Sequence, residues 1–102
     1  MKKVYIAGKI TGESNFKEIF KRAENKFIRQ GVIVMNPAEL PSGFDYEDYM
    51  KVCFAMIDVC DGVHFLSNWQ DSEGAKREYN YALATKKTLS FEIWGEDTMT
   101  LY

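Results

Sequence analysis

Apolar positions along this chain follow two rhythms, short unbroken runs and stretches recurring every three or four residues, and the two alternate. Residues 2–7 (KKVYIA) form a compact run of strand character that ends at Gly8. Across 15–30, Phe16, Ile19, Phe20, Ala23 and Phe27 recur at helical spacing, which predicts an amphipathic helix with one buried face. Asn15 with Glu18 three positions later predicts a capping pair at its start, and Gly31 marks its end. Its lysines and arginines read as a solvated face. Residues 32–35 (VIVM) are an uninterrupted apolar run, expected of a strand covered on both faces, and Asn36-Pro37 stops it. The segment 38–44, with Pro41 and Gly43, reads either as a lid over the strand ends or as an ordinary connection.

The second half repeats the scheme. Over 45–60, Tyr46, Tyr49, Met50, Cys53, Phe54, Ile57 and Cys60 form one stripe, expected to be core. Asp61-Gly62 turns into a third strand carrying Val63, Phe65 and Leu66, and a polar loop with Trp69 and Asp71 follows. Asp58 and Asp61 read as structural, and His64 as a strand residue. A third helix spans 72–86 and a fourth strand 88–92 (TLSFE). The tail 93–102 is apolar at Ile93, Trp94, Met99, Leu101 and Tyr102, expected of a docking segment. Strand and helix in strict alternation predict an α/β fold: a Rossmann-like or flavodoxin-like three-layer sandwich of four parallel strands with helices on both faces.

Composition narrows the partners. At 102 residues the chain is read as one domain, 1–102, with 46% hydrophobic residues and enough of them for a single core. A net charge of -2 without a basic block argues against binding a nucleic acid polymer. Cys53 and Cys60 lie seven apart on one helix, roughly 10 Å between Cα atoms, too far for a disulfide. They read as reduced and buried, in a cytoplasmic protein. One histidine and no CxxC or HxxxH spacing leave a metal site without support, and no cofactor is expected. No run suits a signal peptide or membrane span.

The candidate chemistry gathers where the strands end, the edge at which parallel sheets bind ligands. That edge collects Gly8, Lys9, Ile10 and Gly12 after the first strand, Asn36 after the second, and Trp69, Asp71, Ser72 and Gly74 after the third. Gly8 to Gly12 can cradle a phosphate or sugar, or simply form a tight turn. Free amides at the start of the third helix favour an anion, while Ser72 also suits a plain N-cap. Trp69 fits either packing under the loop or stacking on a base. Glu78 shares the helix face of Ala75 and Ala82, which a helix normally buries. A carboxylate is out of place there unless it works.

Three stretches, VYIAGKITG (4–12), CDGVHFLSNWQDSEGA (60–75) and KREYNYALATKK (76–87), resemble the nucleoside 2-deoxyribosyltransferase superfamily, in particular its short bacterial and phage branch. The resemblance implies a tyrosine on the first strand, a glycine three later, and Ser/Asp-x-Gly-x-x-x-Glu opening the last main helix, here Tyr5, Gly8, Ser72, Gly74 and Glu78. It implies that Glu78 is the nucleophile of an N-glycosidic bond hydrolase or deoxyribosyltransferase, oriented by Tyr5, acting on a deoxynucleoside or its 5′-monophosphate. Serine at position 72 resembles the monophosphate hydrolases, since a serine donates to a phosphate that an aspartate would repel. Active relatives place an aspartate where Cys53 stands, and a thiol with an ordinary pKa of about 8.5 is a poor acid at neutral pH. Asp71 or Asp45 are substitutes, and Lys9 can supply charge without the fork of an arginine. An inactive nucleotide-binding or sequestering protein of the same fold is the alternative reading. A structural subunit assembled through the tail is a third. The resemblance also implies a homo-oligomer.

Overall fold

The computed structural model describes residues 2–93. In chain order it contains β1 (Lys3–Ala7), α1 (Phe16–Arg29), β2 (Ile33–Met35), α2 (Tyr46–Asp58), β3 (Gly62–Phe65), α3 (Glu73–Ala84) and β4 (Thr88–Phe91). Single 3-10 turns at Pro37–Glu39 and Trp69–Asp71 precede α2 and α3. The strands form one parallel sheet in the order β2-β1-β3-β4. The expected α/β sandwich is therefore the fold of the protein.

Side chains alternate across a strand, so each strand feeds two cores. Tyr5, Ala7, Val63, Phe65 and Leu89 pack with Cys53 and Ile57 of α2 and Ala82 of α3. On the opposite face Ile6 and Leu66 pack with Phe20 and Ala23 of α1. Phe27 sets its ring edge-on to His64 at 5.0 Å, and His64 Nδ1 lies 2.8 Å from Ser90 Oγ. Both cysteines are free and buried. Asp61 accepts the Lys3 amide at 2.9 Å and Asp58 the Tyr81 hydroxyl at 2.5 Å, which ties the lower rim of the sheet together.

Three details depart from the sequence reading. The 32–35 run is not a strand covered on both faces: β2 is three residues long, lies at the sheet edge, and leaves Ile33 47% exposed. Local hydrophobicity does not encode the order of strands. Asn15 and Glu18 form no capping pair, because Asn15 sits at φ -102°, ψ 23° and makes no side-chain cap bond. An N-cap side chain reaches the helix amides from extended backbone. Tyr46 lies outside the core stripe at 47% exposed, at the first position of α2. Leu83, on the far flank of α3, is likewise exposed. Trp94, Met99, Leu101 and Tyr102 of the apolar tail lie outside the described residues.

The strand order reverses between β1 and β3, and a crevice opens at the carboxyl ends of such neighbours. Gly8 makes the close approach there: a Cβ on it would stand 2.7 Å from Leu66 Cδ1 and 3.2 Å from Asn68 Oδ1. The chain then turns away with the Lys9 amide donating to Asn68 Oδ1 at 3.1 Å.

Candidate active site

Ser72 fixes the start of α3. Its backbone is extended and its Oγ accepts the Ala75 amide at 3.1 Å, so the helix leaves the β3 end at a set angle. Ala75, Glu78 and Ala82 then share the buried face. The small alanines let α3 lie close to the sheet, and Glu78 is carried inward until it is only 5% exposed. Tyr5, wholly buried on β1, donates its hydroxyl to Glu78 Oε2 at 2.5 Å. Cys53 of α2 stands within hydrogen-bonding reach of Tyr5, Tyr49 and Glu78. Three elements distant in sequence thus converge on one carboxylate.

Burial decides the protonation of this cluster. Loss of water pushes the Glu78 carboxyl up to about 7, against the pull of the Tyr5 and Cys53 donors and of the Arg77 guanidinium. Burial beside that carboxylate drives the Cys53 thiol up to about 12 and holds Tyr5 and Tyr49 well above the usual phenol range. Within the cluster, Glu78 is the group that exchanges its proton near neutrality. The others stay protonated and serve as donors. A carboxylate so held can attack an electrophilic carbon or take a proton.

Glu78 and Tyr5 form the floor of a crevice of about 790 Å³. Asp71, Ser72 and Gly74 make one wall, and the segment from Pro37 to Phe44 with Tyr46 and Tyr49 makes the other. Its charged lining is Glu39, Asp71, Glu73 and Glu78 against Lys17. Of these, Glu39 and Glu73 are exposed and pair with Lys21 at 4.0 Å and Lys76 at 3.5 Å.

Of the residues expected at the site, Tyr5, Gly8, Ile10, Asp71, Ser72, Gly74 and Glu78 line this crevice, and Lys9, Asn36 and Trp69 do not. Asn36 is tied into the fold, donating to Glu24 Oε1 at 2.8 Å and accepting the Ala38 amide at 2.9 Å. Trp69 stacks on Tyr79 at 4.9 Å and lies 5.1 Å from Phe65, beside a separate groove along β4. At Gly74 a Cβ would find Met50 Sδ at 3.4 Å and the Tyr46 hydroxyl at 3.5 Å, so the absent side chain leaves space in the crevice wall. Asp45 caps α2 by accepting the Asp48 amide at 3.1 Å. Phe16, Tyr46, Tyr49 and Met50 also line the crevice, though their spacing marks them only as helix stripe residues. Among the described residues no cluster of three or more His, Cys, Asp or Glu could hold a metal ion, and no helix is long and apolar enough to cross a membrane.

Residues 2–91 match the family described as "Domain of unknown function (DUF4406)". No curated protein sequence matches the chain. Among solved structures, a 2-deoxyribosyltransferase from Leishmania mexicana superposes with TM-score 0.73 at 18% identity, covering 100% of this chain and 79% of that one. A 2-deoxyribosyltransferase from the psychrotolerant bacterium Bacillus psychrosaccharolyticus, described as a biocatalyst for nucleoside synthesis, gives TM-score 0.68 at 19% identity, over 87% of this chain and 70% of that one. At these identities the likeness is one of fold.

Proposed function

Because the chain belongs to the DUF4406 family and shares its fold with 2-deoxyribosyltransferases, we propose that it acts on the N-glycosidic bond of a deoxynucleoside with Glu78 as nucleophile. One observation carries this reading: a buried carboxylate on the crevice floor, gripped through Oε2 by the Tyr5 hydroxyl at 2.5 Å. A carboxylate forms a bond to the anomeric carbon as the bond to the base nitrogen breaks, and that bonding pair leaves with the base. The base takes a proton from water or from Asp71, which also lines the crevice. Water then attacks the same carbon and frees Glu78, or a second base does so and the reaction is a transfer.

The lining admits a 5′-hydroxyl or a 5′-phosphate, and Lys9 does not line the crevice. Ser72 supports either end group, since its Oγ accepts from Ala75 and keeps its proton to donate.

A second reading is favoured by Cys53. Its thiol, held near 12, cannot protonate a departing base, which suits a protein that binds a nucleoside or nucleotide without turnover. The two readings separate when each deoxynucleoside and its monophosphate are incubated with the protein and free base is followed by chromatography. The enzyme releases base, and Glu78→Gln lowers the rate on the order of 10³-fold or more. The rate rises with pH through about 7, because the attacking form is the ionised one. Saturable binding with no release, unchanged in Glu78→Gln, replaces this reading with the second.

A further inference from the structure

Trp69 lies outside the crevice, which leaves open what would hold the base. The aromatic rings that line the crevice are not equally available. Tyr5 is bound to Glu78 at 2.5 Å, Tyr49 donates to the Pro37 carbonyl at 3.3 Å, and Phe16 packs against the core under α1. Phe44 and Tyr46, at the mouth, are each 47% exposed.

Tyr46 is also held in place. Arg77 lies 5.4 Å from its ring centroid, and the guanidinium is fixed by both carboxylate oxygens of Glu47 at 3.0 and 3.2 Å. Asp45, between the two rings, caps α2 at 3.1 Å and so anchors the backbone that carries them. The Tyr46 hydroxyl stands 3.5 Å from where a Gly74 side chain would begin. With a sugar carbon poised at Glu78, Phe44 and Tyr46 are the two most exposed of the lining rings and so the ones free to meet a base.

We propose that Tyr46, with Phe44, is the stacking surface for the substrate's base. The inference deepens the glycosidic reading of the same crevice and rests on it for the identity of the ligand. Stacking on an aromatic face accepts any base, so this surface supplies affinity while the polar lining discriminates.

The test is titration calorimetry with free adenine, cytosine and thymine and with 2-deoxyribose. The wild type binds the bases; Tyr46→Ala weakens them roughly tenfold or more, the scale of one lost stack, and Tyr46→Phe restores them to within about twofold. Deoxyribose affinity is the same in all three, and the bases still bind Glu78→Gln. Equal base affinity in wild type and in a Tyr46→Ala/Phe44→Ala protein overturns the inference, and Glu78-dependent base release from deoxynucleosides would then still support the glycosidic reading. Tyr46-dependent base binding without any such release overturns catalysis and leaves the stacking surface standing.

Discussion

Glu78 gives up almost all its water when the chain folds, and the donors around it replace only part of that hydration. Its carboxyl rises from 4.5 to about 7, so the folded protein holds this proton more tightly than the unfolded chain does. The sign follows directly. Below pH 4.5 both states are protonated and burial carries no charge penalty; as pH rises through about 7 that advantage is lost. Glu78→Gln removes the charge while its amide oxygen can still accept from Tyr5. Urea denaturation at about pH 8 is expected to find the variant more stable than wild type by up to about 3 kcal/mol, with the gap closing at about pH 4. An equal difference at both pH values would mean that the carboxylate is not desolvated. With a desolvated carboxylate the wild type is more stable at low pH, where the proposed chemistry is slow, as expected of a site held at some cost to the fold. Glu78 was legible in the sequence because a carboxylate on an alanine-lined helix face breaks a local rule. Tyr49 was not, because an aromatic at stripe spacing looks the same whether it meets core or crevice.

At the level of elements, glycines and caps that look alike in sequence do different things. Gly8 had the appearance of a ligand-cradling residue, and the structure gives it a packing reason as well, with Leu66 Cδ1 2.7 Å from any Cβ placed there. Gly8→Ala is expected to lose about 1–3 kcal/mol in urea unfolding, because the β1 end has to move off the loop after β3. Ser72 and Asn15 both read as helix starts. Ser72 caps α3 through its side chain and Asn15 makes no such bond on α1. Ser72→Ala should therefore cost about 1 kcal/mol, and Asn15→Ala stay within about 0.5 kcal/mol of wild type. Equal losses at the two positions would show that the caps are equivalent in solution. Element order and type were readable because helix and strand periods are local properties. The edge position of β2 was not, because it depends on which strand lies beside which.

For the molecule as a whole, both sheet edges and the crevice mouth carry apolar side chains. Ile33 on β2 is 47% exposed and Ile93, just past β4, is 40% exposed. Among the described residues no further strand pairs with β2 or β4, and such edges pair readily with a second chain. We propose that copies of the chain associate through these surfaces. Light scattering at micromolar concentration is expected to give a multiple of the 11.8 kDa chain mass, and a mass of one chain would remove the proposal.

Taken alone, the sequence determined the alternation of strands and helices, the parallel sheet that follows from it, and an acid on the buried face of the last helix. Each is a matter of period, turn chemistry and residue type within a few positions. Only the tertiary structure decided that Tyr5 and Cys53 meet that acid, that Trp69 packs along β4 away from the crevice, and that Phe44 and Tyr46 stand at its mouth. Those outcomes depend on distances between segments far apart in the chain, and on how much water each group keeps when the segments close together.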